Sequence, residues 1–432
     1  MAKNWSADLE KHYAVRLPPD IKAWFDGEVY KQQSGGEYNQ PELPEELLDP
    51  SSPAVWAGQM LPDTIPLMGN GGGDVICGRV TPDGRICEIV AWNHEGGFWS
   101  PYGDSWAEAL LYSVTPADGE AAEIHDEPGP KGILGKLIMG IGKRALRDPH
   151  RYRYAAWAMQ YVPTLSETAV EELFALETRT GEILHQHRLF AVQRLRDRCR
   201  EASKCRIADM FRDEKVRQEY QKLAQEAGRE LSVSWSFDPL CIPDKYRGRV
   251  ESITGKTIAE LCAPDWKKAE TAALETIALR QDLIWPYSVA GWAAERDGRM
   301  QEAIALYYQG AGILGSSSDF TEYWRTRIRY RLKFPLERLV TLRDQLPPEL
   351  QSDPLIAAGA EWRISDYWME RAVEAEKCSD WQNAYIYLYR TGWDTLITDY
   401  SEEVLDRLAE AASHFSPSLA AVARHHCASR KR

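Results

Sequence analysis

The stretch MGNGGGDVICGRV (residues 68–80) decides how the first part of the chain folds. Three consecutive glycines, an aspartate and then an apolar run allow two readings. One is a phosphate cradle and the other is a tight turn feeding a sheet. A phosphate loop needs a Lys after its last glycine and a helix whose first amides hold the anion. Here Asp74 follows Gly73, and residues 75–80 carry the β-branched, apolar character of a strand. A dinucleotide fingerprint fails for the same reason, since no helix follows the glycines. Glycines that allow positive φ at the entry to a sheet are the better account of Gly71, Gly72 and Gly73.

Working outward, TPDGR (residues 81–85) places Pro, Asp83 and Gly84 at successive turn positions, and ICEIVAW (86–92) is the return strand of a hairpin. NHEGGFWSPYG (93–103) reads as an aromatic loop. In DSWAEALLY, Ser105 and Glu108 have the spacing of a capping box at a helix start. Upstream, Pro19 and a capping Asp20 open a helix whose stripe is Ile21, Trp24, Phe25 and Val29. The proline-punctuated, acidic stretch 35–53 reads as a loop holding about one helical turn. Helix, long loop, hairpin, loop and helix form an α+β order without βαβ alternation.

The order LPPDIKAWF, LPDTIPLMGNGGGDVICGRV, GRICEIVAWNHEGG, SWAEALLY resembles the SUKH superfamily, the Smi/Knr-type domain. The positions that carry the resemblance are Leu17, Pro18, Trp24, Phe25, Ile65, Pro66, Gly72, Gly73, Asp74, Val90, Trp106 and Leu110, within about residues 10–115. After the first helix the sequence departs from that pattern through DGEVYKQQSGG and an extended acidic loop. The resemblance implies helices packed on a mainly antiparallel sheet. It also implies a binding function without catalytic residues, as in immunity proteins that neutralise toxins, many of them nucleases.

Charge divides the 432-residue chain, whose net charge is −13. Residues 1–128 hold seven Lys and Arg against 22 Asp and Glu, a balance of −15, while the remainder stands at +2. An acidic domain repels nucleic acid and attracts basic proteins. The expected organisation is an acidic SUKH-like domain (1–128), a basic linker or docking segment (129–160) and an all-α, tetratricopeptide-like domain (161–432). GILGKLIMGIG within the linker is too short and too interrupted by Lys136 to span a membrane. With no leader-like h-region at the start of the sequence, the expected location is cytoplasmic.

Repetition in the helical part is faint. Ala290, Gly291, Ala303, Tyr307 and Gly310 stand where a tetratricopeptide repeat places small and aromatic residues. Trp368, Ala372, Ala375, Ala384 and Leu388 repeat the arrangement. Ala269 precedes Ala303 by 34 residues, the period of that repeat, but Ala384 follows Ala303 by 81.

Candidate chemistry is thin. The eight cysteines include no C-x-x-C pair, so free thiols, no metal and no cofactor are expected. His185 and His187, two apart on an expected helix, diverge, and ARHHCASRKR reads as a frayed basic tail. The arginines of 188–215 are interleaved with acids, which favours an ion-paired surface over phosphate contacts. Asp74, His94, Glu95, Trp99 and Tyr102 are the expected contacts for a protein partner, a basic toxin such as a nuclease domain. The competing expectation is a regulatory scaffold whose helical repeats form the main partner groove. An enzyme with an unmarked site is the third.

Overall fold

The computed structural model describes residues 4–51, 54–94, 97–113, 153–162, 188–203, 213–232, 234–262, 265–314, 332–394 and 401–429. Two compact units emerge. The first comprises Met1–Trp92, Ser100–Ala191 and Ser413–Arg432, and the second Asn93–Trp99 and Val192–Ala412. Glu95, His185, His187 and the stretch 132–142 lie outside the described residues.

The first unit opens with helices α1 (Trp5–Tyr13) and α2 (Pro19–Asp26), tied together where Ser6 donates its backbone N–H (2.9 Å) and hydroxyl (2.6 Å) to Asp26. Proline opens α2, and the stripe Ile21, Trp24, Phe25 is fully buried. Asp20 does not cap its own helix, whose N-cap is Pro18. Its buried carboxylate accepts from Ile21 N and, at 2.9 Å, from Ala107 N. Asp20 thereby satisfies an orphan amide at the start of another helix, α4 (Trp106–Tyr112). Ser105 caps α4 as expected, and Glu108 reaches back to Asp104 N at 2.7 Å. Between these helices lies a five-stranded antiparallel meander in the order β1 (Gln40–Pro41), β2 (Thr64–Gly69), β3 (Val75–Val80), β4 (Ile86–Trp92), β5 (Trp99–Gly103), with α3 (Pro44–Leu48) after β1. Helix α5 (Arg153–Ala158) rests on this core, Tyr154 meeting Trp24 edge-on at 4.8 Å.

Two strands depart from the sequence reading. Pro66 lies inside β2, in a stretch that reads as a mere approach to the glycines. The register shift between Pro66 and Met68 shows why a proline is tolerated, because a bulge relieves the ladder of its missing N–H. Residues 99–103 were expected in a loop and form β5 instead.

The second unit is helical throughout its described residues from 192 onward: α6 (Arg188–Ser203), α7 (Glu214–Ala227), α8 (Asp244–Thr254), α9 (Trp266–Leu279), α10 (Ile284–Arg296), α11 (Met300–Gly312), α12 (Phe334–Thr341), α13 (Pro354–Ala360), α14 (Ile364–Lys377), α15 (Trp381–Trp393) and α16 (Ser401–Ser413), with short helical turns between some of them. The α+β arrangement followed by helices agrees with the sequence reading. One turn recurs three times. Gly298, Trp362 and Ser379 all have left-handed backbone between successive helices. Each donates its N–H three residues back, to Glu295, Gly359 and Glu376, and the next N–H bonds five residues back, to Ala294, Ala358 and Ala375. This is the Schellman bond set, which satisfies orphan carbonyls at a helix end. Where α10 meets α11, Gly291 faces the Tyr307 ring so closely that a Cβ would stand 2.4 Å from Cε1. Tyr307 is buried and donates to Glu295 at 2.9 Å. Glu295 in turn holds Arg338 of α12 at 2.5 Å.

The chain then returns to the first unit. The sequence reading assigns everything from 161 to 432 to the helical domain and treats the end as frayed. Instead α17 (Pro417–Ser429) is a helix of the first unit, with Leu419, Val422, Ala423, His425 and His426 buried. Ser416 caps it, accepting from Leu419 N at 3.2 Å while donating to the carbonyl of Pro82 at 2.7 Å. Gly84 makes this approach possible. Its φ is +78°, and a Cβ there would meet Ser418 Oγ at 2.5 Å and the Ala14 carbonyl at 3.1 Å.

Candidate functional site

Asn70 organises the glycine turn. Its side-chain oxygen accepts from Gly72 N (2.8 Å) and Asp74 N (3.1 Å), its amide nitrogen reaches the Asp74 carboxylate at 3.3 Å, and its backbone N–H meets the Asp74 carbonyl at 3.0 Å. Gly71 (φ +75°) and Gly73 (φ +106°) take positive φ as expected, and a Cβ on Gly71 would strike Gln40 Nε2 at 2.6 Å. The turn hands the chain straight into β3, so no helix N-terminus faces the glycines. An Asn before Gly-Gly is the sequence signal for such a side-chain-closed turn.

Beside this turn runs an acidic margin. Residues 32–78 contain seven Asp and Glu and no Lys, Arg or His. Asp63 is engaged by Arg79 at 3.3 Å. Glu42, Glu45 and Glu46 form no ion pair among the described residues. Glu42 lies against the turn, its Oε1 standing 3.8 Å from where a Cβ on Gly69 would be, and its N–H bonds Leu67 O at 3.0 Å. Burial pushes the Glu42 carboxyl up to about 7, with the Glu46 charge adding to the shift. The buried Tyr38 is also raised, by burial first and then by Glu37 and Asp74. At the start of this margin Lys31 lies in electrostatic reach of Glu45, and Glu42 is the carboxylate partly withdrawn from water.

The remaining expected contacts divide. Asp74 and His94 are half-buried, and Glu95 lies outside the described residues. Register pairs Val75 with Trp92, so Asp74 and the loop after β4 leave the same end of the β3–β4 ladder. Asn93 N bonds Phe98 O at 2.9 Å to close that loop. Trp99 and Tyr102 are corrected: both are core residues, 2% and 6% exposed, and a side chain without exposed surface offers a partner nothing. Tyr102 spends its ring on Tyr38 (5.3 Å) and Tyr112 (4.9 Å). Asp83 is exposed but serves its own turn. Hydrogen bonds from Thr81 and Arg85 (2.6 Å) hold its carboxyl below the usual range.

Among the described residues no group of three His, Cys, Asp or Glu side chains is placed to hold a metal ion, and no helix is long and apolar enough to cross a membrane. The described cysteines carry no disulfide. What the margin offers chemically is hydrogen-bond acceptance and negative charge, which suit lysine and arginine side chains. No family model matches the chain, and no curated protein and no solved structure is significantly similar to it.

Proposed function

We propose that the protein is a non-enzymatic binding protein of the immunity type, a SUKH-like first unit that takes up and neutralises a basic toxin domain, such as a nuclease, in the cytoplasm. The observation that carries this reading is the run 32–78, acidic and without a single basic residue, whose Glu42 lies against the glycine turn. A partner lysine or arginine entering beside Glu42 would gain a partly desolvated carboxylate, the setting in which interface charge pairs count most. A second reading rests on the recurring turn. Positions 297–299 and 378–380 share their bonds, and Ala303 with Ala384 and Tyr307 with Leu388 occupy corresponding buried places. That repetition favours a tetratricopeptide-like scaffold, with the helices as a groove for a regulatory partner.

Growth rescue separates the two. The intact chain is co-expressed with a panel of basic nuclease toxin domains, alone and as the combined Glu42→Gln, Glu45→Gln, Glu46→Gln variant. Rescue by the wild type, lost in the variant, supports the immunity reading. Affinity for the rescued toxin should fall at least about tenfold between roughly 50 and 300 mM salt. No rescue of any toxin, or binding indifferent to both salt and the variant, overturns it. Separate halves are unsuitable for this test, because a chain ending before residue 417 loses α17 from the first unit.

A further inference from the structure

Three histidines fasten α17 to the first unit. His12 of α1 and His425 of α17 share a hydrogen bond, Nε2 to Nδ1, at 2.9 Å, with the rings edge to face at 5.1 Å. His426 donates from Nε2 to the Thr64 carbonyl at 2.9 Å, while its buried Nδ1 has no partner. Much of the rest of the helix is small: Ala420, Ala423 and Ser418 supply little apolar surface beside Leu419 and Val422. β1 reaches only Met68 and Gly69 of β2, and His426 takes up the Thr64 carbonyl beyond its reach, while β3 pairs with Thr64 and Ile65.

We propose that His12, His425 and His426 form a proton-operated latch that holds α17 in place at neutral pH and releases it in mild acid. The His12–His425 bond survives with one ring neutral. Two cationic rings would set N–H against N–H at the same separation. A proton on His426 Nδ1 would add a charge at a fully enclosed atom that has no acceptor. The nearby carboxylates favour that charge, Asp49 at His425 and Asp63 at His426, but burial outweighs them. Asp63 is already held by Arg79, which also bridges to Glu88 at 3.1 Å. Tyr13, whose ring lies 5.1 Å from His425, gives its proton to the Leu47 carbonyl at 2.6 Å. Burial accordingly lowers all three histidines, His425 to about 3 with the neighbouring His426 and His12 adding to it, and His426 to about 4.

The sign follows from proton linkage. On a detached helix these rings would titrate near the ordinary value of about 6.5. Between that value and about 4 the detached state binds more protons, so attachment is complete above about 6.5 and weakens as pH falls. Two rings titrating together steepen the loss up to about a hundredfold per pH unit.

The test uses the intact chain and its own cysteines. Cys427 is buried within α17, and Cys77 is buried in β3 as an internal reference. Labelling of both by dithiodipyridine is followed by mass spectrometry, each rate divided by that of the denatured chain at the same pH. Between about pH 7.5 and 5 the relative rate at Cys427 should rise roughly a thousandfold, or to the rate of the denatured chain where that is reached first, while Cys77 stays shielded, and return to neutral pH should restore protection. Equal shielding of both thiols down to about pH 5, or their simultaneous exposure, overturns the latch. The variant His12→Gln, His425→Asn, His426→Gln keeps polar side chains without a titrating ring. It should lose the pH response, and a retained response also overturns the proposal. If the variant does not fold, the wild-type labelling decides alone.

Discussion

The two units are assembled differently. The first draws on residues from both ends of the chain, whereas the helices of the second, from 192 onward, are neighbours in sequence. Trp24, Trp92 and Trp106 fill the first unit's interior, and α17 is added to it more than 300 residues after β5. In the second unit, helix pairs meet across one recurring turn, and small residues let the backbones approach. A core assembled from distant segments should fail as one body, whereas a chain of neighbours should fail locally.

Trp24→Ala tests this most severely. The side chain is fully buried and packs edge-on against Trp106 (5.3 Å) and Tyr154 (4.8 Å). Its loss should cost about 3–5 kcal/mol. Hydrogen exchange should then rise across the first unit together, α17 included, with α10 and α11 unchanged. Protection kept in α17 while α2 is lost would break the contrast.

The counterpart is Gly291→Ala. The new methyl would stand 2.4 Å from Tyr307 Cε1, and the ring is enclosed and held by Glu295. Overpacking should cost about 1–3 kcal/mol, reduced by the better helix propensity of alanine. Exchange should rise in α10 and α11 and leave the first unit alone.

What the sequence showed of each unit follows the same division. The glycine turn, β3 and β4, the turn at 81–85 and the cap at Ser105 were legible, because local chemistry sets them. Pro66 disguised β2 and Pro101 disguised β5, since a bulge or an edge that accommodates proline is a property of the sheet. Asp20 looked like a cap and is one, for a helix 87 residues downstream, measured to Ala107. His425 and His426 resembled a frayed tail because their burial is decided by α1 and β2. Glu42 carried no mark beyond its charge. Its withdrawal from water arises only once β1 lies beside the glycine turn.

Glu42 also lets function be weighed against stability in the acidic unit. A carboxyl raised to about 7 in the folded protein is ionised earlier when unfolded, so its contribution falls as pH climbs from about 4.5 towards 7. Glu42→Gln should therefore stabilise the first unit at neutral pH by about 1–2 kcal/mol, allowing for partial exposure and the weak Glu46 coupling. The same change should weaken binding of a basic partner. Urea unfolding at about pH 5 and 7 checks the first statement, since the gain should nearly vanish at the lower pH. A variant that is neutral in stability and binding would remove Glu42 from the proposed margin.

The smallest effect is also the sharpest probe of repetition. Ser379 has φ +57° where the matching turn has Gly298 at +77°, with the same pair of backbone bonds. A left-handed conformation costs a side-chain-bearing residue about 1–2 kcal/mol, of which glycine is relieved, less its own greater loss of freedom on folding. Ser379→Gly should thus stabilise the second unit by about 0.5–1 kcal/mol, a rise in Tm of about 2–4 °C at most. Gly298→Ala, with no atom within 4 Å of the new Cβ, should lose a similar amount through backbone strain alone. Opposite signs of similar size at two positions 81 residues apart would make the turns energetically equivalent. A loss at both would mean that Ser379 is held by contacts the glycine turn lacks, and the likeness between the two hairpins would then stop at their backbone bonds.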